Sequence, residues 1–162
     1  MEQPTVVQAY APPDEDKPLG GYALLMVAFN ALCAAGLVAS RDRLPERIET
    51  RDLTLLAVAT HKLSRLIAKD KVTSPVRAPF TRFEEDAGPS EVEETSRGTG
   101  VRKATGELLA CPFCVGQWVA AGALFGLIHA PRTTRFVASM FAILSGSDFL
   151  QIAYKAAQDR GL

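Results

Sequence analysis

Long uncharged stretches alternate along this chain with short, dense clusters of charge, and that segregation sets the expected architecture. Leu19–Ala39 contains no charged residue. Phe113–Ala130 and Phe136–Tyr154 hold one ionisable side chain apiece besides cysteine and a terminal tyrosine: His129 in the first, Asp148 in the second. Helices of this length reach across a hydrocarbon core about 30 Å thick. Asp52–Asp70 has a different pattern. Leu53–Ala59 is apolar, but His61, Lys62, Arg65 and Lys69 then share one helical stripe, with Leu56, Leu63, Leu66 and Ile67 largely opposite. Two placements fit: a helix in the interface with its cations reaching the headgroups, or a span whose polar stripe faces a bundle. The expected fold class is all-α, an integral membrane helical protein with three to four hydrophobic helices and a polar cytoplasmic loop.

The boundaries follow from the same pattern. Residues 1–18 predict a disordered, proline-rich tail. Residues 19–40 are the first span, 52–70 an amphipathic or partly inserted helix, 71–110 a polar loop, 111–155 a membrane helical hairpin and 156–162 a C-terminal tail. Within the loop, Pro75 and Pro79 predict an extended Ser74–Phe80, and Glu84–Glu107 reads as mobile. Pro131–Arg135 reads as a polar turn. The first apolar run starts only after Asp14-Glu15-Asp16, so it reads as a retained anchor rather than a signal peptide.

Charge changes the picture through its placement. Lys+Arg and Asp+Glu balance at 18 each in 162 residues, so no net field points to nucleic acid. Arg41, Arg43, Arg47 and Arg51 follow the first span at once, and Lys69–Ala110 carries seven basic residues. An outside N-terminus with an interfacial second helix makes that loop cytoplasmic, as do four spans with an inside N-terminus. Four spans with an outside N-terminus would leave ten basic residues outside against six inside, which the positive-inside tendency disfavours.

The chemistry centres on Cys111-Pro112-Phe113-Cys114 at the start of the third span. Pro112 suits a first helical position and puts Cys111 near the N-cap. Three readings stay open. The thiols are small packing residues; or a redox pair favoured by the helix dipole, though without a second pair or quinone site; or half of a zinc site, completed by a second copy or by His61 and a carboxylate such as Glu107. On the cytoplasmic side a standing disulfide is not expected. Cys33 reads as a buried packing residue. Arg65, Asp70 and Arg77 are candidates to pair with Glu107 or Asp148 across helices; alternatively Arg65 and Arg77 grip the phosphate of an anionic lipid or substrate. Trp118 reads as a headgroup anchor. Gly122 and Gly126 have the spacing of a close helix contact, suited to a homodimer. No nucleophile–base–oxyanion set, phosphate-binding glycine loop or zinc-protease helix appears, which leans away from an enzyme.

Thr60-His61-Lys62-Leu63-Ser64-Arg65-Leu66, Asp70, Pro75-Val76-Arg77, Glu107-Leu108-Leu109 and the run Cys111–Trp118 together resemble the DUF1360 family of small bacterial membrane proteins of unknown function, over roughly Leu53–Tyr154. The resemblance implies a bacterial membrane protein and supports this choice of residues; it implies no activity. The expected location is the bacterial cytoplasmic membrane, with several passes. The expected role is a non-enzymatic membrane component, structural or partner-binding, in contact with membrane lipids and a protein partner. The alternative is a membrane thiol or zinc protein using Cys111 and Cys114.

Overall fold

Six α-helices, two short 3₁₀ helices (Arg41–Arg43 and Lys71–Thr73) and one two-stranded sheet make up the computed structural model, which describes Tyr10 and residues 17–161. The expected N-terminal tail lies almost wholly outside the described residues. The elements are α1 (Leu19–Ser40), α2 (Thr50–Lys69), α3 (Ser74–Arg77), β1 (Thr81–Gly88), β2 (Glu91–Ser96), α4 (Gly100–Ala110), α5 (Pro112–His129) and α6 (Pro131–Asp159). Three helical stretches are long and apolar enough to cross a membrane: Leu19–Arg43, Pro112–His129 and Pro131–Asp159, with mean hydropathies of 2.0, 1.3 and 1.5. Large apolar side chains stand exposed along two of them, among them Met26, Val27 and Val38 on α1 and Ile143, Leu150 and Ile152 on α6.

The chain divides into two compact units. One takes the chain through Leu32 together with Ala68–Cys111; the other takes Cys33–Ile67 and the chain from Pro112 onward.

In the first unit the expected polar loop is folded, which corrects the all-α reading. β1 and β2 pair antiparallel, Thr81 opposite Ser96 and Phe83 opposite Glu94, with irregularities after Phe83 and Asp86. Gly88 and Ser90 take positive φ, +148° and 65°, to reverse the chain around Pro89. The β-branched Thr81 and Val92 are the buried anchors, and nearly every other position of β1 is exposed. A strand with one inward anchor has the composition of a loop, which is why the charge density there misleads. α4 follows, and its Gly106 sits against the Phe80 carbonyl and the Ser96 backbone, where a Cβ would collide. The expected extended Ser74–Phe80 is also corrected: Ser74–Arg77 is a helical turn with Pro75 in its first positions, where a missing N–H costs nothing.

In the second unit, contacts at separate levels fix the helix directions. Gly36 of α1 abuts the Phe125 ring of α5, and four residues further along both helices Ser40 and His129 share a hydrogen bond (Oγ to Nε2, 2.9 Å). α1 and α5 therefore run parallel here. α2 pairs Asp52 with Arg135 and Lys62 with Asp148, so α2 and α6 run parallel to each other. Ser64 of α2 faces Gly116 near the start of α5, while Leu56 and Ala59 pack with Leu127 near its end, so α2 runs antiparallel to α5. Leu56, Ala59, Leu127 and Ala138 are the buried core of the unit, flanked by Ile48, Leu55, Ala123 and Phe141. The expected turn Pro131–Arg135 is corrected to the first turn of α6, with Pro131 again in a first helical position. The expected tail from residue 156 is corrected as well, since α6 continues to Asp159.

Candidate functional site

The polar side chains that matter fall into three groups, each built by its local elements. The first is a buried ion pair in the first unit. Arg77 ends α3 and is fully buried; Glu94 of β2 has a side chain 5 % exposed. The Arg77 Nε donates to Glu94 Oε2 at 2.8 Å and Nη2 donates to Oε1 at 2.9 Å, a bidentate fork. The remaining Arg77 donors reach Thr73 Oγ1 (2.7 Å), Ser74 Oγ (3.1 Å) and the Asp70 carbonyl (3.1 Å). Glu94 also accepts from Thr81 at 2.7 Å and Ser74 at 3.2 Å. Burial opposes its ionisation, but hydrogen bonds from Arg77, Thr81 and Ser74 outweigh it and hold its carboxyl below the usual carboxylate range. With both ions saturated, this group ties α3 to the hairpin and offers no ligand a donor. The sequence points to Glu107 and Asp148 as partners for Arg77 and does not single out Glu94. Glu94 was hidden by its setting in an acidic stretch; the single signal for it is its place two residues after Val92.

The second group belongs to α2 and α6. Lys62 Nζ lies 2.7 Å from Asp148 Oδ2. His61 stacks on Phe149 at 6.4 Å between ring centres. Asp148 is thus paired, by Lys62 of α2, as a carboxylate inside an apolar helix requires. Arg65 and Asp70 have interactions of their own, and the backbone of Asp70 forms an isolated antiparallel β-bridge with that of Glu91. Glu107 accepts a short hydrogen bond from the Tyr22 hydroxyl and faces Ser96 at 3.5 Å.

The third group is the cysteines. Cys33, Cys111 and Cys114 are all thiols, Cys114 exposed and Cys111 half-buried at the junction of α4 and α5. Among the described residues no three His, Cys, Asp or Glu side chains gather as a metal site within one chain would require. Gly122 faces open space, whereas Gly126 lies against Thr134 of the neighbouring helix.

Comparison with known proteins bears on these groups. The model of a family described as a protein of unknown function, DUF1360, matches residues 55–154, more than half of the chain. The chain belongs to the DUF1360 family. The sporulation protein YjcA of Bacillus subtilis (strain 168) is 34 % identical to it over 94 residues, covering 56 % of this chain and 80 % of YjcA. No solved structure matches. The DUF1360 segment contains Lys62, Arg77, Glu94, both CPxC thiols and Asp148; α1 and the arginines just after it precede it.

Proposed function

We propose that this DUF1360 chain is a non-enzymatic, multi-pass component of the bacterial cytoplasmic membrane, whose hairpin and α4 form a folded cytoplasmic head for a protein partner. The observation that carries the reading is helix direction. α1 and α5 run parallel, with one long helix, α2, between them in the chain and antiparallel to α5. With α1 and α5 both spanning in the same direction, the chain between them has to return across the membrane, and α2 is the one helix there long enough to do so. On this reading α2 is a fourth span, its Lys62 neutralised by Asp148. The N-terminus, residues 69–110 and the C-terminus then share one side, with ten basic residues against six on the other, and that side is the cytoplasm. The exposed apolar surface of α1 and α6 supports lipid contact, since soluble chains seldom leave so much uncovered.

The head presents Glu84, Glu85 and Asp86 beside Phe83, which is 59 % exposed. A basic partner segment is the matching chemistry. From YjcA's name we take a setting, sporulation, and no reaction. Three measurements test the reading. The chain should stay in the membrane pellet after carbonate washing. A membrane-impermeant maleimide should reach Cys114 only after cells are permeabilised; labelling in intact cells refutes the topology. In a deletion strain, Glu84→Lys/Glu85→Lys should fail to complement while Cys111→Ser/Cys114→Ser complements fully, and the reverse result transfers the function to the thiols.

A further inference from the structure

Two arginines just outside the family segment stand over an apolar wall without a counter-charge of their own. The segment after α1, the start of α2, the end of α5 and the start of α6 enclose an open cleft of about 240 Å³ in the second unit. That is less than the roughly 300 Å³ at which drug-sized pockets begin, so it fits a headgroup rather than a cofactor. Its apolar side is Ile48, Leu124, Leu127 and Ile128. Its polar side has three guanidiniums, Arg43, Arg47 and Arg135, against two carboxylates, Glu49 and Asp52. Asp52 is buried and is taken by Arg135 in a bidentate pair, Nε to Oδ1 at 2.9 Å and Nη2 to Oδ2 at 2.7 Å. Arg43 and Arg47 make no hydrogen bond or ion pair among the described residues. The cleft therefore carries one positive charge in excess.

We propose that this cleft holds the phosphodiester of one anionic phospholipid, with Arg43 and Arg47 on the phosphate and an acyl chain along Leu124 and Ile128. The single excess charge matches a singly charged phosphodiester. Guanidinium forks suit phosphate oxygens. The apolar wall favours a lipid over a free anion, which would leave Ile48, Leu124 and Ile128 wet. Arg77, named with Arg65 as an expected phosphate grip, is already held by Glu94 in a bidentate pair. This inference rests on the membrane reading above, which places the ends of α1 and α5 at headgroup level.

The test uses the full chain purified in zwitterionic detergent, titrated with phosphatidylglycerol and followed by native mass spectrometry. Wild type should retain one lipid per chain. Arg43→Gln/Arg47→Gln should weaken retention by roughly thirtyfold, about fivefold for each cation near the phosphate. Arg41→Gln/Arg132→Gln, with the same change in net charge, should leave it unchanged. Equal losses in the two variants would reduce the effect to general charge attraction and overturn the site. Displacement by millimolar inorganic phosphate would assign the cleft to a soluble anion and overturn the lipid. Far-ultraviolet circular dichroism of both variants should match wild type, since Arg43 and Arg47 have no partner among the described residues and the Arg41–Asp42 pair of the control lies at the surface. A chain recovered in the soluble fraction without detergent refutes the membrane reading itself; a membrane-bound chain that retains no lipid refutes only this inference.

Discussion

Replacing Glu94 by Gln isolates the buried ion pair of the first unit. The substitution keeps the shape and one carbonyl oxygen but removes the charge facing Arg77, which is fully buried and cannot turn to water. Removing one partner of a buried ion pair costs about 3–5 kcal/mol, chiefly because the other charge is stranded. Gln still accepts one hydrogen bond, so the lower end, about 3 kcal/mol, is the expected loss. Opening of the hairpin should then rise on the order of a hundredfold. Trypsin reads this directly, because Arg82 lies within β1 opposite Thr95, Arg97 directly follows β2, and native-state cleavage follows the open population when reclosing is fast. Comparable cleavage of wild type and Glu94→Gln, within about threefold, would show that the pair does not hold the hairpin to α3 and would refute the reasoning. Arg77→Met/Glu94→Leu should recover most of the resistance, since no charge is left stranded. The pH dependence has a definite sign. Glu94 ionises below the usual carboxylate range in the folded chain, so its contribution is fully present above the ordinary carboxylate pKa and is lost as pH falls through the folded value. Glu94→Gln should lack that acid-side component.

Other expectations follow from neighbouring contacts. Gly106→Ala should cost about 1–3 kcal/mol, read by the same proteolysis, because the new methyl meets the Phe80 carbonyl and Ser96 rather than a movable side-chain tip. Gly122→Ala, with nothing nearby, should be neutral or stabilise by up to about 1 kcal/mol, checked by thermal unfolding in nanodiscs. A double-mutant cycle of Lys62→Met and Asp148→Leu in nanodiscs should give a coupling of at least about 1 kcal/mol, with the double variant more stable than either single; additive effects would deny the pair a role in helix register. Cys111→Ser/Cys114→Ser should leave the unfolding temperature within a degree or two of wild type, about 0.5 kcal/mol or less.

Much of the helical part was legible because each apolar run is long and its charges lie at its ends. α1, α5 and α6 follow from that alone, and Pro112 and Pro131 mark two helix starts by their tolerance for a missing N–H. The hairpin was not legible for a physical reason. Its strands bury Thr81 and Val92 and little else, so they lack the alternation by which a half-buried strand announces itself, and their acidic side chains imitate a linker. The candidate residues show the same division. Asp148 was identifiable because a carboxylate in an apolar helix demands a partner. Its partner was not, because Lys62 is one of four polar residues on a stripe and only packing selects among them. Arg43 and Arg47 passed for an orienting flank, and the cleft beneath them depends on where α5 ends.

The role of α2 shows why hydropathy and geometry part company. A hydropathy window averages side chains as if each faced lipid, so His61, Lys62, Arg65 and Lys69 remove α2 from the membrane-spanning candidates. Inside a bundle the cost is set by what each side chain faces, and a cation paired at 2.7 Å with a carboxylate on the adjoining helix no longer carries the desolvation cost of an isolated charge. The same pairing ties Lys62 to one level of α6, while Asp52 ties the start of α2 to Arg135. Two ion pairs ten residues apart on α2 and thirteen apart on α6 hold the helices side by side over about 15 Å of α2, half the thickness of a hydrocarbon core. An interfacial helix lying across the ends of α5 and α6 could not meet both. On the proposed topology, then, the charges that disqualify α2 by composition are the ones that fix it in place as a span.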